Sequence, residues 1–232
     1  MNLWPESFVL FGLAFYPALI LGVAWHEFGH YLGARLAGRR VLAWGVGMAK
    51  PWLKLHHGDS IFFVGRPLTG GLTLPSPDAL SRQPGREFAL IAAGPLASFL
   101  GMAAGLLAVA KGVRSDLLLA WIAASALLRI FTAIPHCATK GQSDGWQLID
   151  ILRKRRGLRR MPLGVLAANM VAMSELLRQV GAASGADYYR LLAASAEVEL
   201  GNLAAAREGI EVGRGVDTVA FPEAAVMLDV VQ

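Results

Sequence analysis

Cysteine is nearly absent. Cys137 is the single one in 232 residues, which excludes an intrachain disulfide framework and a cysteine-rich zinc site. Charge is scarce too. Asp, Glu, Lys and Arg make up 17% of the chain and hydrophobic residues 55%, against about 25% and 45–50% in ordinary soluble domains. That balance argues against disorder, a coiled coil and a plain cytosolic enzyme. Charge is missing altogether from residues 7–25 and 88–110, and residues 117–139 carry only Arg129. A helix needs roughly 17–25 apolar residues to cross a bilayer core, so all three stretches are long enough. The run from Met161 to Ser174 is too short to span and reads as a buried soluble helix. The first run has no Lys or Arg before it and no small-residue cleavage site behind it, so it is expected to be retained rather than removed as a signal peptide.

The charge that is present is unevenly placed. Residues 1–160 hold 18 Lys/Arg against 8 Asp/Glu, and residues 161–232 hold 4 against 9. A basic, apolar body with an acidic tail suggests a membrane protein with a soluble extension. Basic residues gather between the first two spans and after the third, which places those segments in the cytoplasm and the N-terminus outside. The basic runs are read as topology and lipid-headgroup contacts. They lack the aromatic interleaving of a nucleic-acid surface, so no nucleic-acid partner is expected. Between the first two spans, Trp52–His56 and Ile61–Val64 flank Gly58-Asp59 and predict a hairpin over about 50–66, resting on or dipping into the membrane. In the tail, Tyr188–Leu192, a Gly201 turn and Ala204–Ile210 predict one tetratricopeptide-like helical hairpin, with Pro222–Val231 opening another helix. This tail could bind a cytoplasmic protein or peptide, or simply cap the fold.

His26-Glu27-Phe28-Gly29-His30 closes the first apolar run. On a helix, residues i and i+4 share a face, so two imidazoles can hold one metal ion while Glu27 stands ready for proton transfer. Ionisable groups at a membrane helix end are costly unless they have a task. Catalytic zinc takes three protein ligands and keeps one open position. The extended pattern HExxHxxGxxH fails, because Leu36 stands at its last position. His56 and His57 are candidates for the third ligand. Asp144, in Ser143-Asp144-Gly145 after the third span, is the better one.

These pieces together resemble the site-2 protease family of intramembrane zinc metalloproteases, over about residues 8–150. The resemblance rests on His26–His30 within a span and on Arg66-Pro67-Leu68-Thr69-Gly70-Gly71, similar to the family's Pro-x-Gly-Gly element. It rests further on Ala93-Gly94-Pro95-Leu96-Ala97-Ser98, similar to Gly-Pro-x-x-Asn, and on Ile134-Pro135 followed by Ser143-Asp144-Gly145. Ser98 stands where the family usually has Asn, and Thr132 where an Asn often precedes the Ile-Pro pair. The resemblance implies one zinc ion on His26, His30 and Asp144, with Glu27 as the base. Gly70, Gly71, Ser98 and Arg129 are candidate substrate contacts. Arg129 has a second reading, snorkelling to headgroups. His136 is a candidate oxyanion donor or an interfacial histidine, and Cys137 a packing residue.

The expected fold is mainly α: three core transmembrane helices (about 7–28, 88–110 and 117–136), a membrane-associated β-hairpin (about 50–66) and a small C-terminal helical domain. Residues 1–150 form the protease core, and 151–232 a cytoplasmic basic linker with the helical hairpin. The expected activity is hydrolysis of a peptide bond in or near a transmembrane segment of a membrane protein. The setting implied is a bacterial cytoplasmic membrane with the site facing inward. The hairpin at 52–66 is a candidate to pair with the substrate as an added strand, or a structural flap. The alternatives are a silent membrane adaptor presenting the tail and a zinc-binding membrane protein without proteolysis.

Overall fold

The computed structural model describes residues 5, 7–47, 49–58, 60–66, 68, 70–76, 84–135, 137–138, 141–155, 163–216 and 224. Three long helices carry the apolar runs: α1 (Phe8–Leu36), α2 (Pro84–Ala110) and α3 (Asp116–Ala133). Their mean hydropathies are 2.1, 1.9 and 1.6, and each is long and apolar enough to cross a membrane. α1 is 29 residues long, about 44 Å at 1.5 Å per residue, which exceeds a hydrocarbon core of about 30 Å. The helix therefore continues past the expected end of the span and carries the whole His26–His30 segment. Ser7 caps its start, accepting from the Leu10 N–H at 3.3 Å, and Ser115 does the same for α3 through Leu118 at 3.1 Å. The Ser7 N–H also donates to Asp116 at 3.2 Å, tying the starts of α1 and α3 to one end of the bundle.

Small residues bring the three helices together. A Cβ on Gly29 or Gly33 would strike Ala93 of α2, and Ala18 of α1 packs with Ala120 and Ala124 of α3. Without a hydrophobic driving force between helices in lipid, such close backbone approach is the main source of association. Large side chains on the outside, Phe8, Leu13 and Leu107 among them, remain exposed, as lipid-facing positions should.

Between α1 and α2 lies a four-stranded sheet, where the sequence suggested a single hairpin. Its strands are β1 (Val41–Val46), β2 (Ala49–His57), β3 (Ser60–Arg66) and β4 (Gly71–Pro75), in the order β2-β3-β1-β4. β2 and β3 run antiparallel, with His57 opposite Ser60. Gly58 turns between them at φ +57°, a region open to glycine. Asp59 lies outside the described residues. β1 runs parallel to β3 and antiparallel to β4. β1 and β4 are short and lie among glycines and prolines, so neither stands out in the sequence.

The pleat gives the sheet two different faces. Trp44 and Phe62 stack toward α1, with Trp44 5.1 Å from Tyr31 and 4.7 Å from Phe62. Ala43, Ile61, Phe63 and Leu74 face the other way, onto Leu176, Leu177, Val180 and Ala186. Those four belong to α5 (Leu163–Val180) and α6 (Ala183–Glu199), which follow α4 (Asp144–Arg155). The tail helices therefore share a core with the sheet rather than standing apart after residue 150. α7 (Leu203–Gly213) packs on α6 through Ile210 and Leu191. A two-residue ladder, β5 (Cys137–Ala138) with β6 (Gly141–Gln142), separates α3 from α4. His136 and, apart from Ala224, the expected helix at 222–231 lie outside the described residues.

Candidate metal centre

His26 and His30 sit one turn apart on α1, both buried, and Asp144 opens α4 only 9% exposed. Three contacts close a triangle. His26 Nε2 is 3.0 Å from Asp144 Oδ2, His30 Nε2 is 3.3 Å from Asp144 Oδ1, and the two Nε2 atoms are 3.2 Å apart. In tetrahedral zinc sites with bonds of ~2.0–2.1 Å, neighbouring donor atoms lie about 3.3–3.4 Å apart. The contacts run to both Asp144 oxygens, so the set is two ring nitrogens and one carboxylate, gathered closely enough to hold one such ion.

The far side of each ring explains its orientation. His30 Nδ1 lies 3.0 Å from the Leu90 carbonyl, and His26 Nδ1 lies 2.9 Å from Ser98 Oγ. A carbonyl can only accept, so Nδ1 of His30 carries a proton. Its Nε2 faces a carboxylate oxygen and a second ring nitrogen, the donor set that a metal ion would take up. Ligating histidines commonly show this arrangement, with the outer N–H bonded away and the inner nitrogen free for metal. Burial acts to raise the carboxyl pKa of Asp144, but hydrogen bonds from His26 and His30 outweigh it and hold the group down to about 2. Asp144 is therefore a carboxylate at neutral pH.

Two local devices make room. Gly94 of α2 lies against the His30 ring, where any Cβ would overlap it. Gly145 does the same for α4, since a Cβ there would overlap the Ala133 carbonyl at the end of α3. Ser143 ties this junction by donating to the Ile134 carbonyl at 2.9 Å.

Glu27 is buried beside the triangle and held by β4. Thr73 Oγ1 lies 2.8 Å from Glu27 Oε2 and 3.1 Å from the Glu27 carbonyl, and Gly71 leaves space against the Glu27 side chain. Glu27, His30 and Asp144 line a cleft of about 230 Å³, with Gly71 and Thr73 on one wall. Thr73 went unnoticed in the sequence. Its one available signal was its place two residues beyond Gly71, on the same side of an extended strand.

The remaining candidates fall elsewhere. Gly71 lines the cleft, whereas Gly70 marks the entry to β4, its carbonyl accepting from the Gly47 N–H at 2.6 Å. Ser98 is 2% exposed and lies behind the His26 ring, which leaves it no surface for a substrate. Arg129 stacks over the Phe99 ring at 4.8 Å. His56 and His57 are exposed on β2, and the group that could hold a metal ion among the described residues is His26, His30 and Asp144. The strand edge beside Glu27 is also not that of the 52–66 hairpin. The sheet order puts β2 at one edge and β4 at the other, and β4 is the strand that reaches Glu27.

A His-His-Asp cluster with a carboxylate at its side, toward the C-terminal end of an apolar helix, defines a candidate metallohydrolase centre. Comparison with known proteins agrees. The model of peptidase family M50 matches residues 14–205. The chain belongs to this family, the site-2 protease family. The match takes in the sheet, α5 and α6 as well as the three long helices. A Neisseria meningitidis protein named "Putative zinc metalloprotease NMA0084" is 36% identical over 97 residues, covering 36% of this chain. The chain spans only 22% of that relative's length.

Proposed function

We propose that this protein is a zinc-dependent endopeptidase that hydrolyses a peptide bond in or near a transmembrane segment of another membrane protein. The observation that carries this reading is the cluster of His26 Nε2, His30 Nε2 and the Asp144 carboxylate, in contacts of 3.0–3.3 Å, with both outer ring nitrogens already bonded. These residues would hold one zinc ion. Zinc, when bound, polarises the scissile carbonyl and acidifies water. Glu27 takes the proton from the attacking water and delivers it to the departing amine. Ser98 and the Leu90 carbonyl keep the imidazoles aimed at the site while charge develops.

A membrane helix has its backbone bonds closed and must unwind before it can be cut. Among the described residues β4 is an edge strand, and its outer edge gives the unwound segment a place to pair beside Glu27. Leu72 and Pro75, also on the cleft wall, supply apolar contact. The distribution of Lys and Arg supports a site facing the cytoplasm, with α5–α7 on the same side and available to a cytoplasmic protein, and the family likeness supports a bacterial membrane.

Metal analysis of the detergent-purified protein, wild type beside Asp144→Asn, tests the assignment. About one zinc per chain is expected, with a clear loss in the variant. Zinc undiminished by Asp144→Asn moves the third ligand elsewhere. A wild type that takes up no zinc when it is offered favours the silent adaptor.

A further inference from the structure

β4 meets Glu27 with one face of two residues. Gly71 and Thr73, at i and i+2, point the same way along the strand. Gly71 contributes absence: an added Cβ would press on the Glu27 side chain and lie 2.7 Å from Oε1. Thr73 contributes a donor, its hydroxyl 2.8 Å from Oε2. The two carboxylate oxygens are thus distinguished by one strand, Oε2 tethered by Thr73 and Oε1 against Gly71. Thr73 is also paired through its backbone with Trp44, which stacks on Tyr31 one turn beyond Glu27 on the same helix. The strand is fastened to α1 at both points.

From this geometry we infer that Thr73 is a positioning residue for Glu27, its hydroxyl holding Oε2 while Gly71 leaves the carboxylate room. The inference rests on the protease reading and adds a residue that aligns its base.

Thr73→Val keeps the shape and removes the donor, and Thr73→Ser restores the donor. Both are made in the full-length protein in detergent, with fluorescein-labelled casein as a flexible probe that needs no unwinding. Thr73→Val should lower kcat about ten- to hundredfold, the size expected from a misplaced catalytic group. KM should stay within about twofold and zinc content should be unchanged. Thr73→Ser should recover most of kcat, a rescue that a purely packing role does not give. A readout independent of activity is the melting temperature of metal-free protein in a double-mutant cycle with Glu27→Ala. Thr73→Val should lower it when Glu27 is present and have little effect when Glu27 is Ala.

Equal melting shifts in both backgrounds, or a serine variant as impaired as the valine one, overturn the inference. So does a wild type that cleaves casein with Thr73→Val its equal. Melting coupling with no cleavage by the zinc-loaded wild type overturns the protease reading itself, and the positioning of a catalytic base by Thr73 with it.

Discussion

Ser98 Oγ and His26 Nδ1 lie 2.9 Å apart, although 72 positions separate them in the chain. The contact turns the His26 ring so that Nε2 faces Asp144 at 3.0 Å. Ser98→Ala is therefore expected to weaken zinc binding about 10- to 100-fold, the usual cost of losing a partner behind a metal-bound histidine. Competition with a chelator of known affinity measures it, and an unchanged affinity would remove Ser98 from the site's support.

Glu27→Gln separates metal binding from chemistry. The amide keeps the volume but cannot take a proton from water. Zinc content should match the wild type, while proteolysis falls by about 10²–10⁴-fold, the range for a lost general base. Turnover retained in this variant would falsify the assignment of Glu27.

Gly94 tests the packing that brings His30 to the proposed metal site. A methyl at this position overlaps the ring, and the neighbouring helix backbone gives it nowhere to go. Gly94→Ala should lower both zinc content and melting temperature, and added zinc should restore neither fully. A variant with normal zinc would mean that α2 shifts freely, contrary to its tight contacts with Gly29 and Gly33.

Asp144 sets the acid behaviour of the metal-free protein. Its folded pKa, about 2, lies below the ordinary value of 3.8. A depressed carboxylate contributes stability that is fully present above its unfolded pKa and is lost as pH falls through the folded one. Acid melts should therefore show wild type losing its advantage over Asp144→Asn between about pH 4 and pH 2. An advantage that persisted unchanged below pH 2 would show that Asp144 stabilises through packing alone.

Leu177 tests whether the tail and the sheet are one unit. It is fully buried, packed against the sheet face that carries Phe63 and Leu74. Leu177→Ala should cost about 2–5 kcal/mol. Because α5 covers the same sheet that supplies Thr73, the loss should appear in proteolysis on warming as well as in the melt. Proteolysis indifferent to the substitution would separate the two parts.

The sequence and the tertiary structure decided different things. Three apolar runs dictate three long helices, because a bilayer's thickness sets a length that residue counting can read. The spacing of His26 and His30 dictates a shared helix face, because the period of 3.6 residues is local. Asp144 stood out in the chain only through its membrane face and a family resemblance, since an Asp-Gly pair is usually a turn. The order β2-β3-β1-β4 could not be read at all. β1 and β4 are short, and their pairing is chosen by what lies above and below them, Trp44 on α1 and Leu74 on α5. Thr73, Ser98, Gly94 and the Leu90 carbonyl acquire their roles from contacts between elements 46 to 72 positions apart. Periodicity and spacing report what a residue does with its near neighbours in the chain. The second layer of a site is made by close approach of distant backbones, and only the packed structure decides which ones meet.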